Sequence, residues 1–209
     1  MAKVVVLGAS GAIARHANQM LANDGHELTL TARNTSRIAP VEGATLTVVD
    51  ATNTEDLEAV FKGQEVVYAN LAGDVITQAK AIAKAMENVG LRKLVWVSSL
   101  GIYDEVPGAF GQWNSEMIGS ALRTYREAVD VLEAADLDLV VIRPAWLTDA
   151  DEVDYEITSR EDAFKGTEVS RKSVAALITE LIANDNGWDI SRSLGVNKPG
   201  TDGDKPAWF

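Results

Sequence analysis

Val4-Val5-Val6-Leu7-Gly8-Ala9-Ser10-Gly11-Ala12-Ile13-Ala14 is the stretch that decides the fold. Val4 to Leu7 is a short, wholly apolar run, the pattern of a strand buried on both faces. It stops at Gly8. From Gly11 to Asn23 the residues Ile13, Ala17, Met20 and Leu21 recur at helical spacing, and Asn23-Asp24-Gly25 ends the helix. Between strand and helix lies G-x-x-G-x-x-A, Gly8 to Ala14, a variant of the dinucleotide fingerprint. Gly8 permits a tight turn. Gly11 lets a pyrophosphate approach the backbone, and Ala14 lets the helix pack closely on the sheet. The free N–H groups at the helix start suit phosphate charge. The diphosphate is expected against Gly8, Ser10, Gly11, Ala12 and Ile13.

The same alternation continues outward. Strands are expected at Glu27–Thr31, Thr45–Val49, Glu65–Ala69, Lys93–Val97 and Leu137–Ile142, the last stopped by Arg143-Pro144. Helices are expected at Thr54–Phe61, Asp74–Asn88, about Ser115–Ala135 and Ser173–Asn184. Gly101 to Asn114 reads as a loop. So does 150–166, with a short strand near Tyr155–Thr158, and the end of the chain from about Ser193. Strands separated by helices imply a Rossmann-type, doubly wound parallel sheet in three α/β/α layers. One domain over 1–209 is expected, with small substrate loops at about 101–114 and 150–166.

The strand tips, at the carboxyl edge where open α/β sheets bind ligands, carry the next readings. An NAD site usually has Asp or Glu at the tip of the second strand. Here the tip is Thr31-Ala32-Arg33-Asn34. Arg33 is suited to a 2′-phosphate, with Arg37 and Arg15 as helpers, so NADP(H) is expected over NAD(H). Arg33 could also be a solvated loop cation. Asp50-Ala51 ends the third strand, where Asp50 either takes the adenine amino group or forms a turn. Asn70-Leu71-Ala72-Gly73 ends the fourth strand, and the small residues at that tip let ribose and diphosphate lie against backbone.

Composition excludes other classes. The chain has 209 residues, 19 Lys+Arg and 31 Asp+Glu, a net charge of −12. Such a chain repels nucleic acid and anionic membrane. No apolar run is long enough to span a bilayer. There is no cysteine, and His16 and His26, the only histidines, fall in different elements, so no metal site is expected. The N-terminus runs straight into a strand without a signal peptide, and cytoplasm is the expected compartment. A small-molecule substrate is the expected partner; an oligomer is possible.

These segments together resemble the short-chain dehydrogenase/reductases, more narrowly the atypical, NmrA-like NAD(P)-binding members, among them small NADH-flavin and biliverdin-flavin reductase-like proteins. The matching segments are GASGAIA (8–14), TARN (31–34), VVDAT (48–52), LVWVSSLGIY (94–103), LDLVVIRPAWLTD (137–149) and EVSRKSVAALI (168–178). The resemblance implies that Ser99 polarises a substrate carbonyl, with Ser98 beside the cofactor. It implies that Pro144, Ala145 and Trp146 run beside the nicotinamide, and that Phe110 and Trp113 help form the substrate pocket. Active members also use a Tyr and a Lys four residues later. Counted back from Arg143-Pro144, those positions hold Ala121 and Tyr125, and no Lys occurs from 94 to 164. Tyr125 is either a phenol placed one turn along or a core aromatic; Tyr103 is a second candidate phenol. Ser98 and Ser99 could simply cap the strand, and Trp146, Trp113 and Phe110 could simply pack.

The expected function is hydride transfer from NADPH to a flavin, quinone or carbonyl. A flavin or quinone needs the Tyr/Lys pair less than a ketone does. The alternative is a non-catalytic NADP(H)-binding redox sensor; a sugar-nucleotide epimerase is disfavoured because it would want the pair.

Overall fold

The computed structural model describes residues 1–184 and 192–209. In chain order the elements are β1 (Lys3–Leu7), α1 (Ala12–Asn23), β2 (Glu27–Ala32), a 3-10 turn (Thr35–Arg37), β3 (Thr45–Val48) and α2 (Thr54–Phe61). There follow β4 (Val66–Ala69), α3 (Val75–Val89), β5 (Lys93–Val97), α4 (Gly108–Glu133) and β6 (Asp138–Pro144). The last are β7 (Trp146–Thr148), β8 (Glu156–Thr158), β9 (Glu168–Ser170), α5 (Arg171–Ala183) and β10 (Arg192–Asn197).

Eight strands form one sheet in the order β3-β2-β1-β4-β5-β6-β10-β8, parallel except that β8 runs antiparallel to β10. β7 and β9 pair separately. The chain winds outward from β1 to β3, then returns to lay β4 on β1's other side. That reversal opens a crevice at the carboxyl edge between β1 and β4.

The apolar run of β1 is buried on both faces because the sheet is covered on both. Val4 and Val6 pack with Ile13, Ala14, Ala17 and Leu21 of α1 and with α5. Val5 and Leu7 pack with α2, α3 and α4. Each fully buried Val or Leu contributes about 1.5–3 kcal/mol, so β1 is an anchor for both layers. Caps set the helix starts on the second face. The Asn53 side chain accepts from Glu55 and Asp56 N–H to start α2. Asp74 accepts from Thr77 N–H to start α3, which ends on Gly90 at φ +74°.

Three expectations need correction. The segment 101–114 is not all loop: α4 begins at Gly108 and runs 26 residues, with non-helical dihedrals at Ile118. Its glycines look like loop residues, but Gly111 is there because the Val106 carbonyl lies 2.0 Å from where a Cβ would be. Phe110 and Asn114, both buried, hold this first part down. Arg143-Pro144 does not stop β6; both residues belong to the strand. The region from Ser193 is not all loop: β10 runs to Asn197 and pairs with β6 on one side and β8 on the other, while residues 198–209 form no helix or strand. Gly195 sits mid-strand because Thr158 Oγ1 and the Phe164 ring would lie 2.3 and 2.8 Å from a Cβ. Among the described residues no helix is long and apolar enough to cross a membrane.

Candidate functional site

The glycine turn closes on the tip of β4. Gly8 has φ +75°, and a Cβ there would stand 2.3 Å from the Asn70 carbonyl oxygen. Gly11 is also constrained from inside the protein: its Cβ would stand 2.1 Å from Asn70 Nδ2. The amide of Asn70 thus occupies the space that a side chain at Gly11 would need. The loop is tied down by Ala9 N–H to the Thr31 carbonyl (2.9 Å) and by Asn18 Nδ2 to the Ala9 carbonyl (2.9 Å). Gly11 is the N-cap of α1 and offers no side chain to cap it. Arg15 N–H is the first in this helix to bond back, to the Gly11 carbonyl. The preceding N–H groups of the first turn are therefore left for an anion.

A cleft of about 400 Å³ spans the β1–β4 crevice. Its lining brings together Gly8, Ser10, Gly11, Arg33, Asp50, Ala51, Asn70, Leu71, Ala72 and Gly73, with Gln78 added. Ala12 and Ile13 open α1 behind it; Ile13 is buried in the core. Arg33 is exposed at the β2 tip. Asp50 behaves as a turn residue: one carboxylate oxygen accepts from Thr52 N–H (3.0 Å) and Thr52 hydroxyl (2.8 Å). Those two bonds, and more weakly the Arg33 charge, hold its carboxyl below the ordinary value. Arg37 lies in the short 3-10 turn and Arg15 on the outer face of α1, both exposed.

A second cleft, about 360 Å³, opens at the tips of β5 and β6. Ser98, Ser99, Leu100, Ile118, Pro144, Ala145, Trp146, Leu147, Arg171 and Trp208 line it. Ser98 is 8% exposed and its hydroxyl has no hydrogen-bond partner, whereas the Ser99 hydroxyl donates to the Leu100 carbonyl (3.1 Å). Trp146 is fixed by its indole N–H, which donates to Asn114 Oδ1 (2.9 Å).

The two candidate phenols, Tyr125 and Tyr103, part company. Tyr125 is half-buried and donates to the Leu71 carbonyl at 3.5 Å, a residue that lines the first cleft. Burial pushes its phenol up from the ordinary value. Tyr103 donates to Glu133 (2.9 Å), and the guanidinium groups of Arg126 and Arg160 lie over its ring, 4.4 and 4.0 Å from the ring centre. These partners are distinct from the residues of either cleft. Tyr68 lies wholly in the core, its hydroxyl without a partner. Phe110 and Trp113 are on α4, with Trp113 4.7 Å from the Trp146 ring.

Sequence reasoning missed Glu105. It is buried and pairs with the fully buried Arg143, while its oxygens accept Gly101 N–H and Tyr103 N–H, both at 2.9 Å. Arg143 also donates to Ser193 Oγ (3.0 Å) and the Ser159 carbonyl (3.1 Å). This network pins the loop after β5 that follows Ser98 and Ser99. An acid eight residues beyond the end of β5 carries no local signal for such a role. Arg171 and Trp208 were missed for the same reason, since only tertiary folding brings them to the second cleft.

Fold and site define a Rossmann domain whose first βα turn presents uncapped N–H groups beside a cleft at the strand-order reversal. The NAD(P)H-binding family model matches residues 8–185, and the chain belongs to that family. It is an atypical short-chain dehydrogenase/reductase. A Rossmann-fold NAD(P)-binding family protein from Shigella flexneri is 41% identical over the whole of both chains, with a TM-score of 0.84. A short-chain dehydrogenase/reductase from Veillonella parvula, solved in complex with NADP, is 29% identical over 99% of this chain and all of that one, with a TM-score of 0.92. An anaerobillin reductase from Escherichia coli O157:H7, 18% identical over 96% of this chain and 99% of that one, shares the fold with a TM-score of 0.81. No curated protein matches.

Proposed function

We propose that the protein is an NADPH-dependent reductase of a small acceptor, a flavin or quinone rather than a simple ketone, of the NmrA-like type. The observation that carries this reading is the second cleft. It sits at the β5 and β6 tips, next along the edge from the dinucleotide cleft, and has no lysine among its lining residues.

The residues fit the cofactor. The first-turn N–H groups of α1 would hold the diphosphate, and Arg33, in a β2 tip without a carboxylate, the 2′-phosphate. Ser98, with its unpartnered buried hydroxyl, and the Pro144–Trp146 segment would orient the nicotinamide. Bound there, the cofactor supplies the hydride. The protein's part is to position the acceptor and exclude water. Tyr125 has no lysine to lower its pKa, and burial moves it the other way. Its phenol therefore stays protonated and works as a hydrogen-bond donor. A flavin or quinone can take its proton from solvent and tolerates this arrangement. The acidic surface fits a cytoplasmic chain with small-molecule partners and no affinity for nucleic acid or membrane.

The test is to mix protein and NADPH with flavins, quinones and carbonyls and follow the nicotinamide absorbance. Saturable oxidation dependent on a flavin or quinone is expected. Saturable NADPH binding with no oxidation by any acceptor would sink the reductase and leave a redox sensor, the reading that Ala121 in place of the usual Tyr also supports.

A further inference from the structure

We propose that Trp208 is the outer wall of the acceptor site and Arg171 its charged rim, so that the site selects flat aromatic acceptors bearing an anionic group. The word acceptor rests on the reductase reading; the wall and rim do not.

The tail that carries Trp208 is fixed to the same small sheet that presents Trp146. Pro206 is buried, and Ala207 N–H donates to Glu168 Oε2 (3.1 Å). Glu168 is the register partner of Trp146 in the β7–β9 pair. Trp208 is thereby held 6.2 Å from the Trp146 ring and 4.9 Å from that of Phe209. Phe209 in turn packs edge-on to Trp146 at 5.4 Å and Trp113 at 4.9 Å. The cluster is rigid at its base, where Trp146 bonds to the buried Asn114. At its top Trp208 remains 53% exposed while lining the cleft with Ser98 and Pro144. A half-exposed indole on a cleft wall is apolar area that a flat π-system can bury by offset or edge contact. An aliphatic acceptor gains less there. The cleft's 360 Å³ lies at the small end of the range for ligand pockets, about 300–1,000 Å³.

Arg171 supplies the charge. Its guanidinium meets Asp149 at 2.8 Å, but that carboxylate is 87% exposed. An ion pair of this kind is weak and exchangeable. A phosphate or carboxylate on the acceptor can replace Asp149 with two parallel N–H bonds. In a chain of net charge −12, such a rim is needed for an anion to settle.

The experiment titrates flavin mononucleotide, and riboflavin as the same ring without phosphate, into the protein saturated with NADP⁺, reading quenching of flavin fluorescence. Trp208→Ala should weaken both flavins about tenfold and Trp208→Phe should restore most of that. Arg171→Gln should weaken flavin mononucleotide about fivefold or more and leave riboflavin unchanged. NADP⁺ affinity should be the same in all variants. Unchanged flavin affinity in Trp208→Ala, a loss shared with NADP⁺, or no flavin binding by the wild type would overturn the proposal. If flavin binding keeps this dependence while no acceptor oxidises NADPH, the reductase reading falls and the wall stands. If acceptors are reduced and Trp208→Ala changes nothing, the wall falls and the reductase stands.

Discussion

At the scale of single residues, the glycine turn shows how a motif can be legible while part of its reason is not. Gly8 and Gly11 were readable as phosphate-turn glycines from their spacing. The structure adds a partner distant in sequence, Asn70, whose carbonyl crowds Gly8 and whose amide fills the space beside Gly11. The two should respond differently to an added methyl. Gly8→Ala meets backbone and an unfavourable φ, so a loss above about 2 kcal/mol is expected in chemical denaturation. Gly11→Ala meets the end of a side chain that can turn aside, so Asn70→Ala should recover part of its cost in a double-mutant cycle, by about 0.5 kcal/mol or more. Equal, additive losses would count against this account. Glu105 was not legible at all. Its place beside Arg143 follows from the tertiary path of the loop. Glu105→Gln leaves Arg143 as an uncompensated buried charge, and should cost about 3–5 kcal/mol. That is a fall in Tm of roughly 6–20 °C for a chain of this length.

Among the elements, those with strong periodicity were read well: α2 and β5 have the expected bounds, and α3 lies between the cap and stop residues that its sequence shows. The failures share a cause. Gly108, Gly111 and Gly195 look like loop residues locally, yet each lies in regular structure. At Gly111 and Gly195 a distant or neighbouring group leaves no space for a Cβ. A sequence shows the missing side chain but not the atom that excludes it. For β10 this gives a direct check. Gly195→Ala should destabilise the protein by about 1–3 kcal/mol through overpacking against Thr158 and Phe164, whereas a loop glycine there would tolerate alanine. Tyr125 on α4 gives another. Burial holds its phenol above the ordinary value of 10.0, so the neutral form persists throughout the working range. Acceptor reduction should therefore show no basic limb from this group between about pH 6 and 9. A limb there that Tyr125→Phe abolishes would mean that the phenol is tuned downward after all.

For the whole molecule, the strand alternation makes the parallel sheet and its ligand-binding edge readable in the sequence. The eight-stranded order places the reversal between β1 and β4, under the glycine turn. Less readable was the second cleft, because Ile118 of α4, Arg171 of α5 and Trp208 of the tail after β10 come to it from segments far apart in sequence. Net charge was a guide to the molecule and not to its corners: a −12 chain still presents uncapped N–H groups and Arg33 at one edge. That corner is where the account is most exposed. Titration calorimetry of NADPH and NADH against the wild type and Arg33→Ala tests it in one measurement. The account predicts that NADPH binds at least about tenfold more tightly than NADH, and that Arg33→Ala removes most of the difference by weakening NADPH alone. Equal affinities in the wild type, or an NADPH preference that survives Arg33→Ala, would contradict it.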